Sequence, residues 1–157
     1  MATKTTTSKN LEDTKKLAIS FLQKLRPAKN GATVVCLSGD LGAGKTAFIK
    51  ELGVLLGIRK EEITSPTFVI EKIYGINHKD FHHLIHIDAY RIEESHELVT
   101  LGWNEIVADK KNLICIEWPE KIKDILPKET NNIKFEFINE ETRNISFPKV
   151  LSSKFKV

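Results

Sequence analysis

The feature that most constrains this chain is an eight-residue segment with the pattern Gly-x4-Gly-Lys-Thr, which defines a P-loop. Its residues are Gly39, Asp40, Leu41, Gly42, Ala43, Gly44, Lys45 and Thr46. Glycine permits backbone angles that point successive N–H groups into one concavity, where a phosphate is held with help from the positive end of the next helix. In such a site Lys45 is expected to contact the β- and γ-phosphates, and Thr46 to ligate Mg²⁺. The segment therefore predicts a site for a nucleoside triphosphate, most simply ATP with Mg²⁺.

The residues on either side of the segment predict the strand and the helix between which a P-loop lies. Thr33 to Leu37 is a short apolar run rich in β-branched residues, which is typical of a central strand buried on both faces. From Lys45 to Leu56 apolar residues recur at helical spacing, and Gly57 is placed to end that helix. A plain glycine-rich turn needs neither flank, so the phosphate site is the favoured interpretation.

The rest of the chain predicts strands and helices in alternation. Asn10 is placed to cap a first helix that Pro27 stops. Further strands are predicted at 68–74, 84–88, 113–117, 133–138 and 144–147, and short helices at 93–101 and 104–108. This order predicts an α/β fold of the single-domain P-loop NTPase type, with a mostly parallel central sheet flanked by helices and an antiparallel C-terminal hairpin. We expect a flexible N-terminal tail at 1–9, the P-loop ATPase domain at 10–150 and a C-terminal tail at 151–157.

Composition excludes several classes of protein. The 157 residues are 41% hydrophobic and 29% charged, as in an ordinary globular protein. The net charge of +3 is only mildly basic, and aromatic residues do not interleave with the lysines as a nucleic-acid surface requires. No apolar leader or membrane-length run is present, so we expect a cytoplasmic protein. Cys36 and Cys115 lie inside apolar strands and are predicted to be core residues, not a disulfide or a metal pair.

Two predicted strands end in an acidic residue. Asp88 follows one apolar run and Glu117 follows another. Both carboxylates are expected at the carboxyl edge of the sheet, where open α/β sheets bind ligands. Either residue alone has a plain alternative as a solvated acid at a strand end. Together they predict a metal ligand and a second group that orients water or holds metal, and the sequence leaves open which residue does which.

The segment Thr64–Phe68 and a group of histidines are weaker signals. The segment has short hydroxyl side chains, including Thr67, and is restrained by Pro66, so it is a candidate switch that reaches the γ-phosphate. Plain loops have a similar composition. The histidines lack the spacing of a zinc site, and we expect an exposed strand connection with His86 packed beside Asp88. They are His78, His82, His83 and His86.

Four motifs together resemble the bacterial TsaE-type ATPases, the small P-loop proteins of tRNA threonylcarbamoyladenosine synthesis. They are the P-loop at 39–46, Ser-Pro-Thr-Phe at 65–68, His-x-Asp-x-Tyr-Arg at 86–91 and Ile-Glu-Trp-Pro-Glu at 116–120. The resemblance implies a cytoplasmic ATPase that assists the threonylcarbamoyl transferase complex, a TsaB–TsaD-type heterodimer. That complex modifies adenosine 37 in tRNAs reading ANN codons. The resemblance implies no membrane, and contact with tRNA only through the complex.

The resemblance also implies roles for individual residues. Thr46, Asp88 and Glu117 resemble the family's Mg²⁺ cluster, and with Lys45 the two acids are the implied catalytic residues. Trp118 resembles the residue that couples nucleotide state to surface shape. The implied nucleotide-binding residues are those of the P-loop, Gly39, Asp40, Leu41, Gly42, Ala43, Gly44, Lys45 and Thr46, together with Ala47, Thr67, Trp118 and Arg143, the last against the adenine. Ala47 is a departure, because many relatives have threonine there.

Two other classes of P-loop protein remain as alternatives. A small-molecule kinase brings several arginines on a lid to the transferred phosphoryl group, whereas this chain has only four, widely separated: Arg26, Arg59, Arg91 and Arg143. A GTP-dependent switch carries Asn-Lys-x-Asp, whereas residues 77–80 are Asn-His-Lys-Asp. With no evident arginine finger, a group worth roughly 10³ to 10⁵ in rate elsewhere, we expect slow hydrolysis by the chain alone and stimulation by its partners.

Overall fold

The computed structural model describes residues 3–148 of the chain. The strands are β1 (Thr3–Ser8), β2 (Thr33–Gly39), β3 (Glu71–Gly75), β4 (His83–Asp88), β5 (Asn112–Glu117), β6 (Asn131–Phe137) and β7 (Arg143–Pro148). The helices are α1 (Leu11–Lys24), α2 (Lys45–Leu55), α3 (His96–Thr100) and α4 (Trp103–Ala108), with 3₁₀ segments at Lys60–Glu62 and Pro119–Ile125. Among these described residues, no helix has the length and apolar character needed to cross a membrane.

The seven strands form one sheet in the order β1-β7-β6-β2-β5-β4-β3. The four central strands, β6, β2, β5 and β4, run parallel to one another. β6 and β7 form the predicted antiparallel hairpin. At one edge of the sheet β3 pairs antiparallel with β4, and at the other edge β1 pairs antiparallel with β7. The predicted α/β fold with a parallel centre and a C-terminal hairpin is confirmed, and the edge strands make the sheet as a whole mixed.

Helices cover both faces of the central strands. α1 and α2 pack on one face, where the rings of Phe21 and Phe48 meet edge to face with centroids 5.7 Å apart. The other face is covered by α3, α4 and the second 3₁₀ segment, with Leu98 and Trp103 in its core. Successive residues of β2 alternate between these two cores. Because both faces are covered, the strand ends are the part of the central sheet at which polar side chains can meet a ligand.

Both cysteines are core residues, as predicted. Cys36 and Cys115 are buried and form no disulfide. Burial is the main cause that raises the pKa of the Cys36 thiol to about 12, so it remains protonated at neutral pH.

The mobile tail predicted for residues 1–9 does not extend over residues 3–8, which form β1. This strand pairs along its length with β7. Its side chains add bonds of their own, from Thr7 Oγ1 to Asn144 Oδ1 at 2.8 Å and between Thr5 and Ser146 hydroxyls at 2.7 Å. The segment has no alternation of apolar and polar residues, so only the β-branched threonines signalled a strand. The tail predicted at 151–157 lies outside the described residues.

The strand predicted at 68–74 is wrong at its start. β3 begins at Glu71, and residues 68–70 form a turn in which the Ile70 N–H donates to a carbonyl four residues earlier at 2.6 Å. Ile70 has a φ of 70°, which is rare for a β-branched residue. Phe68 and Val69 resembled the start of a strand, but their side chains are 82% and 57% exposed.

The helix boundaries are close to those predicted. Asn10 caps α1 by accepting a bond from the backbone N–H of Asp13 at 2.8 Å. α3 begins at His96 and not at Glu93, because the Glu97 carboxylate accepts the backbone N–H groups of residues 93 and 94 and holds them in a turn.

Candidate functional site

The P-loop joins the end of β2 to the start of α2, as its flanking residues predicted. Gly39 has a φ of 136°, and a Cβ there would lie 2.1 Å from the Phe135 carbonyl oxygen on β6. Gly44 caps α2 with a φ of 102°, and a Cβ there would lie 2.3 Å from a guanidinium nitrogen of Arg143. Position 39 therefore needs glycine for backbone angle and for space, and position 44 needs it for its backbone angle. The turn leaves the N-terminus of α2 facing the carboxyl edge of the sheet.

Lys45 is buried at the first turn of α2, with 4% of its surface exposed. Its ammonium donates to the Gly39 carbonyl and lies 3.7 Å from the centre of the Trp118 ring. Burial lowers the pKa of this amine, and the nearby carboxylate of Glu117 opposes that shift. The lysine is thus a buried cation of the cleft, and it contacts the P-loop backbone and the face of an aromatic ring.

The two predicted acids meet at the carboxyl edge of the sheet. β4 and β5 are parallel neighbours, and their register places Asp88 directly beside Glu117. Both side chains are buried, with residue exposures of 5% and 3%. Adjacent strands that end at the same level therefore bring these carboxylates together in front of the P-loop.

Each oxygen of the Glu117 carboxylate has its own partner. Oε1 accepts a hydrogen bond from the Thr46 hydroxyl at 2.8 Å. Oε2 lies 2.6 Å from His86 Nε2, in a pair that is almost fully buried. The sequence placed His86 beside Asp88, two residues along the same strand, and did not predict this bond. The histidine pairs with the acid of the neighbouring strand, two positions beyond its register partner Cys115.

Asp88 joins the candidate switch segment to the site. Its Oδ2 accepts the Thr67 hydroxyl at 2.8 Å, and its Oδ1 accepts the Tyr90 backbone N–H at 3.0 Å. The Asp88 N–H in turn donates to the carbonyl of Ile70 at 2.8 Å. The segment 64–70 is therefore bonded to Asp88 at two points, through the Thr67 hydroxyl and through the Ile70 carbonyl. Phe68, next to Thr67, points outward and lies 4.5 Å from the Arg91 guanidinium.

Trp118 follows Glu117 and turns the chain into the second 3₁₀ segment. It has a φ of 60°, which is uncommon for a residue other than glycine. Its ring packs on Tyr90, with centroids 5.1 Å apart, and also faces Lys45. With this backbone angle, the Trp118 side chain contacts both Lys45 and Tyr90.

Arg143, at the start of β7, lies against Gly44. The hairpin carries it there because β7 pairs with β6, which is the neighbour of β2. Its guanidinium donates to the Glu140 carbonyl at 3.1 Å, and its Nε has no hydrogen-bond partner among residues 3–148. Arg59 is bound elsewhere, in an ion pair with Glu62 on the surface.

These side chains surround a cavity of about 380 Å³, within the range of small-molecule sites. Its walls include most of the residues proposed from sequence: Leu41, Gly42, Gly44, Lys45, Thr46, Ala47, Thr67, Asp88, Glu117, Trp118 and Arg143. Gly39 and Asp40 lie behind Lys45, and Ala43 is fully buried in the core. Tyr90 is a wall residue that the sequence reasoning gave no role. Its place two residues after Asp88, in the His-x-Asp-x-Tyr-Arg motif, was the available signal.

The groups present fit a nucleotide with a divalent cation. Thr46, Asp88 and Glu117 offer oxygen donors, and Mg²⁺ in nucleotide sites uses one or two carboxylates together with phosphate oxygens. The helix N-terminus and Lys45 supply the positive charge that phosphates require. The histidines do not add to this set: within the described part of the chain, no three His, Cys, Asp or Glu side chains are grouped as a metal cage.

Comparison with known families agrees with this geometry. A family model described as "Threonylcarbamoyl adenosine biosynthesis protein TsaE" matches residues 8–145. The chain belongs to the TsaE family. The matched region runs from the end of β1 into β7, so every wall residue of the cavity lies within the TsaE match.

Individual TsaE proteins show the same relationship. Proteins named "tRNA threonylcarbamoyladenosine biosynthesis protein TsaE" from Rickettsia felis and Rickettsia typhi are 37% and 35% identical to this chain, over 85% and 88% of it. The matches cover 73% and 90% of those proteins. The TsaE of Borreliella burgdorferi is 41% identical over 61% of this chain and 66% of its own length. The crystal structure of YdiB from Bacillus subtilis is similar with a TM-score of 0.67 and 29% identity, covering 93% of this chain and 84% of YdiB.

Proposed function

We propose that this TsaE-family chain is a Mg²⁺-dependent ATPase that supports threonylcarbamoyl modification of adenosine 37 in tRNAs reading ANN codons. The observation that carries the proposal is the meeting of Lys45, Thr46, Asp88 and Glu117 in one cavity at the end of the P-loop. The pathway is proposed from the names of the relatives, which are tRNA threonylcarbamoyladenosine biosynthesis proteins. A lysine, a hydroxyl and two carboxylates at one phosphate site are the groups that phosphoryl transfer to water requires.

Different groups of the chain have different roles in the proposed hydrolysis. Backbone N–H groups at the start of α2 bind phosphate oxygens, and Lys45 leaves the Gly39 carbonyl to contact the β- and γ-phosphates. Bound Mg²⁺ would neutralise charge that develops on the phosphate oxygens. Thr46, Asp88 and Glu117 would hold the cation, and one of the two carboxylates would also orient the attacking water. Lys45, Asp88 and Glu117 are buried around the cavity, which strengthens their electrostatic effect.

The base and sugar are proposed to lie on the Arg143 side of the P-loop. Arg143 also lines a second cavity of about 280 Å³, together with Asn10, Leu11, Thr14 and two glutamates of the hairpin turn. A planar guanidinium can stack on an adenine ring while it remains bound to the Glu140 carbonyl. In this arrangement the base lies on the Arg143 side of the P-loop, away from Asp88 and Glu117.

The threonylcarbamoyl transferase complex, of the TsaB–TsaD type, is the proposed partner, and tRNA is reached through it. The segment 64–70 supports a link from nucleotide to surface, because Thr67 contacts Asp88 whereas Phe68 and Val69 are exposed. Trp118 offers a second link through its contacts with Lys45 and Tyr90. A change in the phosphates is thus transmitted to surface residues by direct contacts.

We expect the isolated chain to hydrolyse ATP slowly, and the complex to accelerate hydrolysis by about 10-fold or more, as partners do for P-loop switches. Arg143, the arginine that lines the cavity, donates to the Glu140 carbonyl and is assigned to the adenine, so it is not available as an arginine finger. The test is phosphate release from ATP by the chain, alone and with the purified complex. Parallel assays with GTP and with small phosphoryl acceptors separate the switch and kinase alternatives. Rapid turnover by the chain alone, or a preference for GTP, contradicts the proposal.

A further inference from the structure

His86 lies in the core of the sheet, behind the cavity. It is 1% exposed, and its Nε2 is 2.6 Å from Glu117 Oε2. Its neighbours along β4, Ile85 and Ile87, belong to the core on the opposite face of the sheet. A polar side chain in such an apolar strand needs a partner, and the partner here is a carboxylate of the proposed catalytic set.

The two oxygens of Glu117 are held from different directions. The Thr46 hydroxyl donates to Oε1, and because an ionised carboxylate only accepts, His86 Nε2 is the donor to Oε2. One bond leaves a carboxylate free to rotate about its last torsion, whereas two bonds on separate oxygens define its plane. The other ring nitrogen of His86, Nδ1, is buried and has no hydrogen-bond partner among residues 3–148. Among the described residues, Glu117 is therefore the hydrogen-bond partner of the His86 ring.

We propose that His86 is a positioning residue that fixes the Glu117 carboxylate in the plane that the hydrolysis step requires. His86 is not a wall residue of the cavity, whereas its partner Glu117 is, so it acts through Glu117. Groups that hold metal-binding carboxylates in this way typically change activity or metal affinity by about 10- to 100-fold when removed. The inference rests on the proposed ATPase function.

Two variants separate the hydrogen bond from the packing of the ring. His86→Leu keeps an apolar side chain of moderate size but removes the donor, whereas His86→Gln can place an amide N–H near the position of Nε2. We expect kcat for ATP hydrolysis to fall about 10- to 100-fold in His86→Leu, with KM changed little, and to recover largely in His86→Gln. His83→Leu, an exposed histidine of the same strand, is the matched control and is expected to equal the wild type.

A readout independent of activity is the tautomer of His86 in the nucleotide-free protein. Long-range ¹H–¹⁵N spectra of histidine-labelled protein are expected to show the proton on Nε2. Replacing the acceptor by Glu117→Gln is expected to shift that signal, and His83→Leu is expected to leave it in place. This measurement uses the wild-type fold, so it applies even where His86→Leu does not fold.

The outcomes distinguish this inference from the proposed function. Wild-type turnover that Lys45→Ala abolishes, together with unchanged kcat in His86→Leu, overturns the role of His86 and leaves the ATPase standing. Equal losses in His86→Leu and His86→Gln, or an Nε2 that carries no proton, also overturn it. Absence of hydrolysis by the wild type, alone and with the complex, overturns both.

Discussion

Replacing Glu117 by alanine is expected to lower ATP hydrolysis by about 10²- to 10⁴-fold, the range that a group positioned for proton transfer supplies. Glu117 is the carboxylate that contacts Thr46, so its removal takes away both a cation ligand and the orientation of the attacking water. The P-loop amides and Lys45 remain in place, so we expect ATP to bind with affinity close to that of the wild type. The measurement is single-turnover hydrolysis beside a direct binding titration.

Two further variants sharpen this test. Glu136→Ala removes an exposed acid from β6 and is expected to behave as the wild type. Glu117→Gln keeps the side-chain volume and is expected to lose hydrolysis as the alanine variant does, because the charge is missing. Equal hydrolysis in the wild type and Glu117→Ala would remove this residue from the mechanism.

Replacing Lys45 by alanine is expected to weaken ATP binding by about 10- to 100-fold, as the loss of a charged hydrogen bond predicts. Lys45 is the P-loop cation proposed to contact the β- and γ-phosphates, and the cavity also holds two acids, so its loss leaves less positive charge to balance the triphosphate. Isothermal titration with ATP and Mg²⁺ measures the change. The fold should survive, because the contacts of Lys45 are made to the loop and to Trp118 and not within the core.

Lys50→Ala provides the control for a lysine on the same helix. It removes a positive charge from α2 one turn beyond the cavity walls and is expected to leave ATP affinity within about twofold, as for ordinary surface substitutions. A Lys45→Ala variant that binds ATP as tightly as Lys50→Ala does would contradict the placement of the phosphates at residues 39–46.

Much of the site could be predicted because its signals are local in sequence. The P-loop is recognised by its fixed spacing and by the strand and helix that flank it. An acidic residue directly after an apolar run is predicted at the end of the strand, as Asp88 and Glu117 are. The pairing of His86 with Glu117 could not be predicted, because it depends on the register between β4 and β5. The same holds for Thr67 with Asp88, which requires the turn at Ile70.

The fold was predictable where apolar periodicity is strong, and not where an element is held by hydrogen bonds to its neighbour. β1 is a run of threonine, lysine and serine, without apolar residues, that bonds to β7. The turn at 68–70 is the opposite case, since its exposed apolar residues gave a false strand signal. Phe68 and Val69 lie on the surface next to Thr67, which bonds to Asp88, and the proposed function places the link to a partner there.

The content of threonylcarbamoyladenosine in cellular tRNA tests the central claim most directly. The gene is deleted or depleted in its own organism, variants are supplied in its place, and tRNA nucleosides are quantified. We expect the modification to be lost without the gene, restored by the wild type and by Glu136→Ala, and not restored by Glu117→Ala. A normal level of the modified nucleoside in the deleted strain, or full restoration by Glu117→Ala, would contradict the link between this cavity and the pathway.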